Sequence, residues 1–459
     1  MGAVSVARVG IGARTRARRA VAALSIAVVI ALAAAPAALA ADPTFQALTS
    51  TVKYGTSVTF QQQATLPAGV ARVEAVVREG ADAPTFLAPV SVSGTGSVTL
   101  KYAYETPEGG TYPNTKLSLG FRVTMDDGRV IDGPTSSVLY TDDRFDWKTL
   151  SGSIVRVHWY QGDQAFGQRA LDIGEGAVER AQQLLGVTET QPIDFFIYAD
   201  RDAFYSVIGA GLQENVGGLA LAPIRTLFAN IGPSSVADPW VGIVVPHELT
   251  HIVFATATQN PYHEPLHWLN EGLADYLAAG YDASARGNVR DAVKNGDLMP
   301  LSAIVGQFPS PPDRFSLAYD EAVSAIDYLV RTYGQDALVK LIRSYADGVS
   351  DDQAFSAALG VDTAGFEAGW LKDLGVAAPI PYGPKDAPGG PVPPDWAGGP
   401  APSRGPITTA RPGSPGSPSD TGDVSGPVLW IGIVIFAFVI VAGILLAMRA
   451  LSRGRSISG

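Results

Sequence analysis

The chain has 459 residues, 44 Asp and Glu against 33 Lys and Arg, a formal net charge of −11 and no cysteine. That length allows two or more domains. The missing thiols exclude disulfides and thiolate metal sites, and the acidic balance speaks against nucleic acid or an anionic lipid surface as partner.

Residues 1–40 carry Arg8, Arg14, Arg16, Arg18 and Arg19, then the apolar run Val21–Ala35, then Ala38-Leu39-Ala40. A basic start, an apolar stretch and an A-x-A site predict a signal peptide cleaved after Ala40. Residues 41–145 read as β structure, with alternating runs at Ser57–Gln61, Arg72–Val77, Ser97–Tyr102 and Leu119–Val123. Turn signals such as Pro67-Ala68-Gly69 and Asp126-Asp127-Gly128 separate them. About seven strands in this span predict an accessory immunoglobulin-like sandwich.

From 146 the pattern becomes mixed. Ile154–Trp159 and Ile193–Tyr198 read as strands flanking a helix over 164–186, with further strands at Gly217–Ala220 and Thr226–Ile231. Val244-Val245-Pro246-His247-Glu248-Leu249-Thr250-His251 follows. On a helix, residues i and i+4 share a face, so His247 and His251 can grip one metal ion. Glu248 lies about 100° round the helix, free to act on a water. Glu271 comes twenty positions after His251, in Trp268-Leu269-Asn270-Glu271-Gly272-Leu273-Ala274-Asp275. Two imidazoles and one carboxylate leave a fourth zinc position open, the layout of a catalytic site. Whether the helix starts at Pro239, so that Pro246 kinks it, or near 245, so that Pro246 sits in its first turn, stays open.

A second HExxH, His263-Glu264-Pro265-Leu266-His267, is rejected. Pro265 removes a backbone donor and pushes Glu264 off helical angles, so its histidines would not share a face. His263 and His267 are read as surface or packing residues near the substrate, and His158 as structural.

Ala318–Tyr333, Gln335–Tyr345 and Phe366–Leu374 have helical apolar spacing. The peptidase-like domain is set at 146–376. Residues 377–426 are rich in Pro, Gly and Ser and predict a flexible stalk. Within 427–448, Val428–Met448 is an uninterrupted apolar stretch of 21 residues, enough to span a bilayer. Arg449, Arg453 and Arg455 in 449–459 place that tail in the cytoplasm by the positive-inside rule. Removing the eight terminal arginines leaves −19 for 41–426. The expectation is a bacterial ectodomain outside the cell on one C-terminal anchor.

The HExxH helix, the following Glu and the NExxxD pattern of Asn270, Glu271 and Asp275 resemble the gluzincin (thermolysin-like) zinc metallopeptidases, in particular the bacterial peptidase MA-like domains. The resemblance covers roughly 150–375. It implies an α+β zincin-type domain: a small mixed sheet on the HExxH helix, with a helical C-terminal part. It implies Zn²⁺ held by His247, His251 and Glu271, Glu248 as general base, Asp275 as a carboxylate holding a ligand histidine, and Asn270 beside it. It further implies that the strand before the HExxH helix, near 226–231, forms the sheet edge bordering the cleft, where an extended peptide can add.

Hydrolysis also needs a donor for the developing oxyanion. No histidine follows His267, so a tyrosine must serve. Tyr319, taken to open the helix after the metal helices, is preferred to Tyr328 and Tyr281. The reading is a membrane-anchored, extracytoplasmic zinc peptidase acting on peptide or protein substrates, and an endopeptidase since no motif for a free amino terminus is evident. The alternative is an adhesion or receptor protein with a silent zinc scaffold.

Overall fold

The computed structural model describes residues 41–80, 83–209 and 217–377. The expected signal peptide, stalk, transmembrane helix and tail all lie outside the described residues. The chain divides into two units. Of the described residues, the first comprises those in 41–52, 58–104 and 117–138; the second comprises those in 53–57, 105–116 and 139–377.

The first unit is all β. One sheet has the order β1 (Thr44–Lys53), β2 (Ser57–Leu66), β5 (Gly96–Glu105). The other runs β4 (Thr85–Pro89), β3 (Val70–Glu79), β6 (Lys116–Met125), β7 (Val130–Asp132), with β8 (Ser136–Leu139) also on β6. Strict alternation makes it fold this way. Val58, Phe60, Ala64 and Leu66 of β2 are buried while Gln61, Gln63 and Thr65 are exposed. The sheets meet where Phe60 packs on Phe121, with ring centroids 5.0 Å apart. The one polar residue of β2 in that inner row, Gln62, donates from Nε2 to the Gln46 carbonyl at 2.7 Å.

The second unit is a five-stranded sheet under a helical body. Its sheet order is β12 (Gly218–Leu221), β13 (Thr226–Asn230), β11 (Ile193–Tyr198), β10 (Val155–Trp159), β9 (Lys148–Ser151). The pairs β10–β11 and β11–β13 are parallel; β9 and β12 are antiparallel edges. A parallel pair needs a crossover. Helix α1 (Gln164–Leu185) supplies it between β10 and β11, capped by Asp163 on the Phe166 amide at 2.8 Å and ended by Gly186 at φ 63. α2 (Arg201–Ile208) follows β11.

The helical body contains α3 (Val241–Thr258), α4 (His267–Ala278), α5 (Ala283–Asn295), α6 (Pro312–Tyr333), α7 (Gln335–Ser344), α8 (Asp351–Leu359) and α9 (Thr363–Asp373). α3 is long and apolar enough to cross a membrane, but it is a core helix here, with Val244, Val245, Leu249, Ile252 and Val253 all buried.

Two expectations change, and one open point is decided. The strand at 226–230 is not the edge: β11 and β12 occupy both its sides, and β12 is the edge strand. The metal helix begins at Val241, so Pro246 lies inside it and removes one intrahelical bond. The helix expected from Ala318 begins at Pro312, so Tyr319 sits two turns in and does not open it. Proline in a first turn has no amide bond to lose, which is why Pro312 is tolerated there.

A buried acid ties together several segments of this unit. Asp194 accepts from His158 Nε2 at 2.8 Å, from Arg156 at 2.7 and 2.8 Å and from Asn114 Nδ2 at 2.8 Å. Burial opposes its charge, but these donors outweigh it and hold the carboxyl at about 2. A depressed acid stabilises the fold above its unfolded value, and that contribution is lost as pH falls through the folded value. After discounting for the solvent around Arg156, about 1–2 kcal/mol should disappear between about pH 4 and pH 2. Urea titrations across that range should show the loss in the parent and a flatter profile in Asp194→Asn.

Candidate metal centre

Helical periodicity brings the histidines together. His247 and His251, one turn apart on α3, are 0% and 5% exposed, and their ring centroids lie 4.8 Å apart. Glu271 reaches them from α4, fully buried, with Oε2 3.3 Å from His247 Nε2 and 3.7 Å from His251 Nε2. The three residues form a group whose ligand atoms lie within 4.8 Å of one another.

The far side of each ring is fixed. His247 Nδ1 is 2.8 Å from Asp275 Oδ1, and His251 Nδ1 is 2.9 Å from Asn270 Oδ1. Both partners offer an oxygen acceptor, so each Nδ1 carries the proton and each neutral ring turns an Nε2 lone pair inward. Among the described residues, those two nitrogens and both oxygens of Glu271 are buried with no partner in good hydrogen-bonding geometry. Four buried orphan acceptors facing one another are costly, and a cation among them removes the cost. The donor set, two imidazoles and a carboxylate, suits zinc.

The protonation pattern points the same way. Burial disfavours a charge on His247, but the hydrogen bond to Asp275 and the Glu271 carboxylate override it and push the imidazole well above its usual range. Burial lowers His251 to about 4. Burial would raise Glu271, but the imidazoles of His251 and His247 hold it at about 2. A raised imidazole beside a depressed carboxylate marks a site of negative potential, which a bound cation satisfies.

Glu248 faces the sheet edge. Its Oε2 accepts from the Ala220 amide of β12 at 3.1 Å, and burial raises it to about 8. Gly218 makes this approach possible: a Cβ there would meet Glu248 Cγ at 3.0 Å. Tyr319 is 3% exposed, its ring 6.2 Å from that of His247 and wedged between Phe308 and Phe315. Among the described residues its hydroxyl meets no partner in good hydrogen-bonding geometry, and burial, reinforced by the nearby Glu271 carboxylate, keeps it well above the ordinary phenol range.

α6 can bring Tyr319 this close because Gly272 lets α4 and α6 touch backbone to backbone. A Cβ on Gly272 would lie 2.5 Å from the Ala322 carbonyl oxygen and 2.9 Å from Ile326 Cγ1. Gly272→Ala must spread the helices. It should cost about 1–3 kcal/mol of stability, measurable by thermal unfolding, despite the better helix propensity of alanine.

The other candidates lie elsewhere. Tyr328 packs on Phe366 and Tyr333, and Tyr281 faces Arg286. His263 is in an irregular segment with Nε2 3.1 Å from Asp351. His267 opens α4, so the second HExxH lies largely off a helix, as Pro265 dictates. His267 nevertheless reaches the site: its Nε2 is 3.7 Å from Glu271 Oε1 and its ring packs on Phe308. The i,i+4 spacing to Glu271 was the available signal for this contact. The Gly218–Ala220 contact with Glu248 had none, because it depends on sheet order.

Residues 174–375 match the family model described as the Peptidase MA superfamily. Among solved structures, a two-domain M1 zinc metallopeptidase is similar at 14% identity, over 74% of this chain and 95% of that one, with a TM-score of 0.34. An aminopeptidase N family protein from Idiomarina loihiensis is similar at 11% identity over 72% and 76%, TM-score 0.38. An M1 zinc metallopeptidase from Deinococcus radiodurans is similar at 14% over 74% and 95%, TM-score 0.30. Residues 174–375 are thus similar to the peptidase MA superfamily, and this stretch contains both metal helices.

Proposed function

We propose that this protein is an exported, membrane-anchored zinc metallopeptidase that cleaves within peptide chains. The observation that carries the reading is the ring of buried orphan acceptors formed by His247, His251 and Glu271. These three would hold the zinc, with Asp275 and Asn270 fixing the imidazoles. Zinc bound there supplies Lewis acidity toward a carbonyl and acidifies water. Glu248 accepts the proton from the attacking water and passes it to the leaving amine. The Ala220 amide holds the Glu248 carboxylate in place. A cation beside Glu248 favours its charged, basic form.

Tyr319 would donate to the developing oxyanion, a role supported by its unpartnered buried hydroxyl. Tyr319→Phe should reduce turnover about 10²–10³-fold with little change in metal content. β12 offers an outer edge to which an extended substrate can add, which favours cleavage inside chains.

Residues 41–145, most of which lie in the first unit, serve as an immunoglobulin-like accessory module in this reading, with the peptidase domain at 146–376. Residues 1–40 export the chain, 377–426 form the stalk, and 427–448 anchor it with 449–459 inside. Elemental analysis of the purified protein, combined with a broad peptide-library digest, tests the proposal. One zinc per chain with cleavage inside peptides is the expected result. A zinc-loaded protein that cleaves nothing would leave the adhesion or receptor reading.

A further inference from the structure

The rejected second HExxH has a place in the molecule. Its Glu264, Pro265 and His267 line a cavity of about 360 Å³ that opens beside His251. The opposite walls come from Phe254 and Ala255 of α3 and from Val305. The wall is largely apolar along its length and acidic at Glu264. That carboxylate is exposed, and among the described residues it has no salt-bridge partner. Its neighbour His263 is directed to Asp351 at 3.1 Å. Partial burial against the apolar wall pushes the Glu264 carboxyl above its usual range, opposed by the neighbouring His263 imidazole.

We propose that this cavity is a specificity pocket for a substrate side chain with an aliphatic stem and a cationic head, a lysine or arginine next to the cleaved bond, recognised by Glu264. The stem lies along Phe254, Ala255 and Val305, and the head reaches the rim carboxylate. Long basic side chains bury their methylenes on apolar surface while keeping the charge at a polar edge. A volume of about 360 Å³ exceeds what a bare ammonium needs and suits a long side chain. The free amino terminus of a peptide carries the same charge chemistry and is the competing source of the cation. The assignment rests on the peptidase reading above.

The test uses the full-length chain in detergent and peptides blocked at both ends, alike except for lysine, norleucine or glutamate on either side of the cleaved bond. The lysine peptide should exceed the norleucine peptide in kcat/KM by about tenfold, the size of a partly desolvated charge-assisted contact. Glu264→Gln should remove most of that ratio, and Glu264→Lys should invert it in favour of glutamate. Equal handling of lysine and norleucine by the parent, or an unchanged ratio in Glu264→Gln, overturns the proposal. A norleucine peptide that gains as much from an unblocked amino terminus as from lysine also overturns it.

Binding separates this proposal from the one it rests on. Fluorescence anisotropy of the same peptides on Glu248→Gln reads the pocket without turnover. A Glu264-dependent lysine preference in binding, with no cleavage by the parent, keeps the pocket and removes the hydrolysis. Cleavage without that preference does the reverse. Neither binding nor cleavage removes both.

Discussion

Glu248→Gln should keep its metal, fold and thermal stability while losing at least about a hundredfold in peptide turnover. The amide matches the carboxylate in size, and its carbonyl oxygen can still accept from the Ala220 amide, so the contact with β12 survives. What disappears is the ability to take a proton at neutral pH. A single general base is worth about 10²–10⁴-fold, and a group that both takes and returns the proton belongs near the top of that range. Stability should not fall, because an uncharged amide is easier to bury than a carboxylate that burial already pushes to about 8. Initial rates on the most active library peptide, with elemental analysis of the same sample, check this. Unchanged turnover would remove Glu248 from the mechanism, and lost metal would recast it as a ligand.

Glu271→Ala should abolish stoichiometric zinc. It takes away the only carboxylate of the triad and leaves two imidazoles as ligands. Asp275→Asn is the informative contrast. It keeps an acceptor for His247 Nδ1 but removes the charge that makes the imidazole a better ligand, so zinc affinity should fall about 10–100-fold without vanishing. His263→Ala should leave zinc content unchanged, since its ring is directed to Asp351. Competition with a fluorescent chelator measures all three. Full zinc in Glu271→Ala would sink the ligand set.

How much could be read from the sequence depended on distance along the chain. The pairing of His247 with His251, and of Glu271 with Asp275, follows from helical repeat alone. Alternation exposed the inner face of the β unit, with Val58 and Phe60 buried and Gln61 not. The helix over 164–185 declared itself through its apolar stripe and Gly186. What stayed hidden was decided by spatial order. Nothing in 218–221 says that it takes the outer position beside 226–230, since both segments are short and apolar. α5 was missed because, of its thirteen residues, only Ala285, Val289 and Ala292 are buried, leaving a faint stripe. The Gly272–Ala322 contact joins helices distant in sequence, so its glycine read as any other.

Asn270, Glu271 and Asp275 all project from α4, while the two imidazoles they hold all come from α3. For protein engineering, the proposed metal centre is therefore a two-helix cartridge spanning 241–278. Grafted onto another scaffold, it would carry its ligands and their orienting partners as one piece. The recipient would still have to offer a strand amide where Ala220 stands and a helix able to accept Gly272 at contact distance. Placing HExxH alone on a designed helix would reproduce the two rings without the partners that set their tautomers.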